Sequence, residues 1–177
     1  MEQEPTGVRF FDRGAALIEL AFALPLLMML ILGIASAGIA FNHQLALTHS
    51  AREGGRYAAT LPVNNFGSMN VWLDTVALGV LDDATGSLAP GVSGQIICVA
   101  YVHPDGGAPT DRTTSRTESG GPPVYSFEPC FADGRPAGER RVQVVVARDT
   151  NFNAFFFSTT LNLGSKAVSR FEAAGGF

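Results

Sequence analysis

The sequence predicts an α+β protein: a long N-terminal transmembrane helix that continues as a stem, followed by a small antiparallel β-sheet domain with one short helix. Three observations carry this expectation. Residues 20–41 run for 22 positions without a charged side chain, enough at about 1.5 Å per residue to cross a hydrocarbon core of roughly 30 Å. Helical character continues beyond that run and stops before Pro62, since the residue before a proline is pushed out of the helical region. Further on, two apolar and β-branched stretches, 95–102 and 141–148, read as buried strands.

The totals bound the rest. Of 177 residues, 136 lie beyond residue 41, enough for one small core. A net charge of −4 without a basic cluster excludes nucleic acid as a partner, because phosphate neutralisation needs Lys and Arg gathered on one face.

Residues 1–14 are short and polar, and Arg9 and Arg13 precede the apolar run. Basic residues at that flank favour an N-in, C-out orientation. Residues 13–41 admit three readings. A secretory signal peptide would use the small residues Ala35, Ser36 and Ala37 as its cleavage site. An uncleaved anchor explains the length but not Glu19, a carboxylate that costs roughly 2.5–3.5 kcal/mol if it reaches the bilayer centre. In the third reading, the bond between Gly14 and Ala15 is cut on the cytoplasmic side and the apolar helix stays in the product.

The run Arg13-Gly14-Ala15-Ala16-Leu17-Ile18-Glu19 before an unbroken apolar helix resembles the processing site of type IV-like pilins. More narrowly, residues 13–60, including Ser50-Ala51-Arg52-Glu53-Gly54-Gly55-Arg56-Tyr57-Ala58-Ala59, resemble the TadE-like proteins of the tight adherence (Flp) pilus system. The remainder resembles them loosely, through the strand at 142–147 and the ending at 167–172. The chain departs from the Flp major pilins, which are far shorter, so the resemblance implies a minor pilin or pseudopilin. It implies cleavage after Gly14 by a prepilin peptidase, a new amine on Ala15, and assembly through Glu19. Further implied partners are other pilin-like subunits, a pilus assembly platform and an assembly ATPase. Its place would be the cytoplasmic membrane, single-pass with the C-terminal domain outside the cytoplasm, or a surface pilus. A carboxylate in the apolar layer can compensate a neighbouring subunit's amine, turning two costly charges into one pair. The other reading of Glu19 is a solvated side chain at the headgroup boundary.

The resulting division is a leader over 1–14, a transmembrane helix over 15–41, a stem over 42–61 and a domain over 62–177. Within the helix, Pro25 removes one backbone hydrogen bond and can kink the axis. Gly33, Ser36, Ala37, Gly38 and Ala40 form a small-residue face open to a second helix. In the stem, Leu47, Ala51, Gly54, Ala58 and Leu61 recur at spacings of four and three, a heptad-like row. It suits either another subunit's stem or this chain's own domain. Arg52 and Arg56 repel mildly at this spacing unless Glu53 or a partner offsets them.

Residues 62–68 read as a linker and 69–81 as a second helix, with Trp72, Val76 and Val80 on one face and Ser68 or Asn70 as cap. Residues 103–123, rich in Gly, Pro, Thr and Ser, cannot build a core and read as a long mobile loop. Cys98 and Cys130 would lie outside the cytoplasm, where one disulfide closing a loop of about 30 residues contributes roughly 3–4 kcal/mol. Two buried thiols are the alternative. Residues 161–171 read as the partner strand of 141–148 with Gly164 as a bulge, or as a helix. Between these strands stand Phe152, Phe155, Phe156 and Phe157, expected either to fill the core or to form an exposed tip.

No catalytic residue, cofactor or metal site is expected. His43 and His49 fall on different helix faces, and no nucleophile elbow, phosphate loop or metalloprotease helix occurs. Beside the pilin reading stands a single-pass anchored or secreted extracytoplasmic binding domain, which would present its sheet to a ligand.

Overall fold

The computed structural model describes residues 10–84, 88, 94–103, 111–114, 122–136, 138–154 and 157–172. The architecture is α+β, with a long N-terminal helix running into a two-layer domain in which an antiparallel sheet backs onto helices.

The first helix, α1 (Phe10–Thr60), is 51 residues long and continuous through Pro25. At about 1.5 Å per residue it extends roughly 77 Å. Its part Gly14–Thr60 is long and apolar enough to cross a membrane by length and composition. It ends where Pro62 demands extended backbone, and a single 3-10 turn (Val63–Phe66) closes at Gly67 with φ 71°, a left-handed conformation that glycine adopts without penalty. The second helix, α2 (Met69–Asp83), is capped by Ser68, whose Oγ accepts from the Val71 amide at 3.4 Å. It buries Trp72, Leu73, Val76, Ala77, Val80 and Leu81.

Five strands follow: β1 (Ile96–Val102), β2 (Asp111–Thr114), β3 (Val124–Ser126), β4 (Arg141–Ala154) and β5 (Phe157–Arg170). They form one antiparallel sheet in the order β3-β2-β1-β4-β5. β1 is buried along nearly its whole length, as its doubly apolar pattern predicts. β2 arises where a loop was expected, and β3 follows just beyond that loop. Within 103–123, residues 111–114 pair with both β1 and β3; the flanking 104–110 and 115–121 lie outside the described residues. Strands of four and three mainly polar residues carry no periodic signal of their own, and pairing with β1 supplies their order.

The β4–β5 hairpin is longer than the sequence predicts. Pairing runs without interruption from Arg141↔Arg170 to Ala154↔Phe157, so Gly164 sits in regular register opposite Ala147 and forms no bulge. A Cβ at Gly164 would stand 3.3 Å from the Val146 carbonyl, which accounts for the glycine there. The continuation past Arg148 runs through Asn and Thr residues that are weak strand markers. It is held by cross-strand side-chain bonds from Asn162 to Asp149 (2.9 Å) and from Thr160 to Asn151 (3.4 Å).

One face of the sheet packs on the helices, α1 across β4 and β5 and α2 across β1 and β2. On this face Ile97, Val99 and Tyr101 pair with Val146, Val144 and Val142, and with Leu47, Ala51, Ala58, Trp72, Val76 and Phe171 they make one core. Trp72, Tyr101 and Phe171 meet edge to face at centroid distances of 4.9–6.3 Å. The Trp72 indole donates to the Leu61 carbonyl at 3.1 Å.

The opposite face is covered by the segment 127–136, pinned by the Cys98–Cys130 disulfide. Of the four phenylalanines expected either to fill the core or to form an exposed tip, Phe152 is half-buried and Phe157 is exposed. Neither joins the core, because the hairpin carries both past the end of the domain; Phe155 and Phe156 lie outside the described residues.

Candidate assembly interface

Along α1 the side chains divide into two regimes. From residue 14 to residue 32 all are exposed except the half-buried Met29. Leu17, Ile18, Phe22 and Leu26 are 68%, 61%, 79% and 63% exposed. From Ala40 onward one face is consumed by the chain's own domain: Ala40, Leu47, Ser50, Ala51, Gly54, Gly55, Ala58 and Ala59 are buried. The heptad-like row of the stem therefore packs on this chain's own sheet and α2, the second of its two sequence readings. Small residues at its centre allow the approach. A Cβ on Gly54 would collide with the Val80 side chain, and one on Gly55 would lie 2.9 Å from Ser169 Oγ.

The sequence-predicted site residues fall in the first regime. Gly14, Ala15 and Glu19 are exposed, and a Cβ on Gly14 would meet nothing within 4 Å. Ala15 and Glu19 stand four residues apart, one above the other on the same helix face. The two cysteines lie instead in the sheet domain, Cys98 in β1 and Cys130 in the segment bridged to it.

The small-residue face is partly occupied by the hairpin. Ser36 donates from Oγ to the Asn153 carbonyl at 2.6 Å, and Gln44 donates from Nε2 to the Gly164 carbonyl at 2.9 Å. His43 Nδ1 lies 3.4 Å from Thr150 Oγ1; burial and then the Arg148 charge lower the His43 pKa. Ala37 and Gly38 remain exposed. These joints between helix and hairpin escaped sequence reasoning. Their one trace there is the presence of polar Ser36 in an apolar helix.

On the outer side of the stem, Arg52 and Arg56 are exposed, and Glu53 pairs with Arg56 at 3.3 Å, offsetting the repulsion between the arginines. Among the described residues, no group of three or more His, Cys, Asp or Glu gathers into a metal-binding arrangement. The chemistry offered by this surface is association: an uncovered apolar helix carrying one carboxylate.

No curated protein and no solved structure matches this chain. Residues 14–56 match the family described as TadE-like protein, a span that starts at Gly14 and takes in both regimes of α1. That likeness is carried by 43 of the 177 residues.

Proposed function

We propose that this chain is a minor pilin or pseudopilin of a tight adherence pilus, cut between Gly14 and Ala15, held in the cytoplasmic membrane by residues 15–41 and assembled through that helix. The observation that carries the reading is the uncovered first half of α1. Among the described residues its apolar side chains stand exposed, Met29 alone being half-buried, within a segment that matches the TadE-like family. Lipid covers such a surface in the membrane, and the helices of other pilin-like subunits cover it in a fibre. Residues 1–14 are then the leader, residues 42–61 the stem that carries the domain, and the assembly platform and prepilin peptidase the machinery that handles it. The role is structural, and the chain is the substrate of the peptidase.

Glu19 supplies the register. Cleavage leaves an amine on Ala15, and in an apolar layer an amine and a carboxylate from neighbouring subunits are each stabilised by the other.

N-terminal sequencing of the mature protein tests the cut. Ala15 as first residue is expected; Gly38 in that place would mean secretion, and intact Met1 a plain anchor, and either outcome overturns the reading. Gly14→Ala is expected to block processing. Glu19→Ala is expected to be processed and to lower the pilus count in micrographs by roughly tenfold, equivalent to about 1.4 kcal/mol per contact.

A further inference from the structure

The fold lays two uncharged stretches side by side. On α1 no Asp, Glu, Lys or Arg occurs between Glu19 and Arg52, and on the hairpin none occurs between Asp149 and Lys166. The contact between Ser36 and the Asn153 carbonyl sets their level. With the new terminus at residue 15 at one boundary of a hydrocarbon core of roughly 30 Å, about 20 helical residues place the other boundary near residue 35. Ser36 then stands at that boundary. At this level α1 still presents exposed Ile34, Ile39 and Phe41, so the hairpin tip cannot lie beside that part of the helix without meeting the same layer.

The tip is built for such a layer. Phe152, Ala154, Phe157 and Leu161, interleaved with Thr150 and Thr159, share the face of the hairpin that continues the buried valines of β4, by the alternation of the strands and the pairing of Ala154 with Phe157. The Phe152 and Phe157 rings stand 6.1 Å apart, and Phe157 is 51% exposed. On the other face, the polar side chains Asp149 and Asn162, and Asn151 and Thr160, bond each other across the strands. Polar groups entering a layer poor in water need such internal partners. Apolar side chains such as Phe and Leu are what interfacial segments bury at the boundary between headgroups and acyl chains.

We propose that the tip of the β4–β5 hairpin, presenting Phe152 and Phe157, rests in the lipid headgroup layer beside the chain's own α1, on the side of the membrane that carries the sheet domain. This rests on the reading that α1 crosses the membrane. The tip adds a second hold on the bilayer, so transfer of the subunit into a fibre must lift these rings out of lipid as well as extract the helix.

The test uses the full chain in phosphatidylcholine vesicles. Because Cys98 and Cys130 are bridged, a single added cysteine can carry an environment-sensitive dye. Three variants are compared: Phe157→Cys at the tip, Leu30→Cys in the helix and Asp82→Cys at the end of α2. Lipid spin-labelled near its headgroup is expected to quench the dye at 157, and lipid spin-labelled deep in its acyl chain to quench the dye at 30. Iodide present on both sides should reach it at least about fivefold less than at 82, since a group about 5–10 Å into the headgroup boundary is withheld from aqueous ions. If 157 behaves like 82 while 30 is quenched by lipid, the tip lies in water and the proposal falls while the membrane helix stands. If 30 escapes lipid quenching, the crossing fails and the proposal with it. Protection of 157 from iodide without lipid quenching also overturns it, in favour of contact between copies of the chain. Should Phe157→Cys not fold, Ser158→Cys at the same level is read in the same way.

Discussion

Asp133 shows how much of the sheet's outer face rests on single side chains. Its Oδ2 accepts from Arg141 Nε at 2.6 Å and from Gln143 Nε2 at 2.8 Å. Gln143, buried in the middle of β4, accepts from the Cys130 and Phe131 amides and donates to the Phe131 carbonyl at 2.9 Å. One polar residue in an apolar strand thus holds the segment that covers it. Burial by itself would raise the Asp133 pKa, but hydrogen bonds from Gln143, Arg141 and the Arg135 amide, with the Arg141 charge, outweigh it and hold the carboxyl below its usual range. A lowered folded-state pKa means stability that is present above the unfolded value near 3.9 and is lost as pH falls through the folded one. Asp133→Ala is expected to cost roughly 3–5 kcal/mol at neutral pH, because it leaves the buried Arg141 uncompensated. Urea unfolding of the full chain in detergent should show that difference shrinking below about pH 4. Sequence reading passed over Gln143, although a glutamine among valines was the available signal.

Two glycines on two helices should respond in opposite directions. In an isolated helix, glycine is worse than alanine by about 1 kcal/mol. At Gly79 of α2 a Cβ would make ordinary contact with the Tyr57 ring at 3.8 Å, so Gly79→Ala is expected to stabilise by up to about 1 kcal/mol. At Gly54 of α1 the same change drives a methyl into Val80 and is expected to destabilise by about 1–3 kcal/mol. Thermal unfolding followed by circular dichroism compares the two, and a stabilised Gly54→Ala would contradict the packing of α1 on α2. The existence of α1, of α2 and of the strands at 95–102 and 141–148 was legible because long periodic or apolar runs speak for themselves. The short β2 and β3 were not, since their order comes from neighbours distant in sequence. The extra length of β4 and β5 was hidden by Asn and Thr, whose strand preference depends on what faces them across the hairpin.

Across the whole molecule, the disulfide is the one covalent tie between the central strand β1 and the segment that returns to β4, with a sequence separation of 32. In the chain-entropy model, a loop of that size is worth roughly 3–4 kcal/mol. Reduction, or Cys98→Ala with Cys130→Ala, is expected to lower domain stability by that order. Thiol trapping with and without reductant should show a shift in electrophoretic mobility; no shift would argue against the bridge. The molecule is otherwise divided along α1, with the length beyond Ala40 committed to the domain and the length from residue 14 to residue 32 left exposed among the described residues, Met29 excepted.

The likeness of residues 14–56 to TadE-like proteins, the membrane-length helix, the α+β class and the cysteine pair were all determined by the sequence alone, because each depends on local runs or on residue types at short spacing. Whether the Leu47, Ala51, Gly54 and Ala58 row met another subunit or its own domain was decided only in three dimensions. A row of small apolar residues fits either partner, and only the sheet's arrival on that face excludes the other. The placing of the phenylalanines was likewise a tertiary outcome: whether Phe152 and Phe157 fill a core or leave it depends on how far the β4–β5 pairing runs, and that pairing carries them alongside Ser36 of the apolar helix.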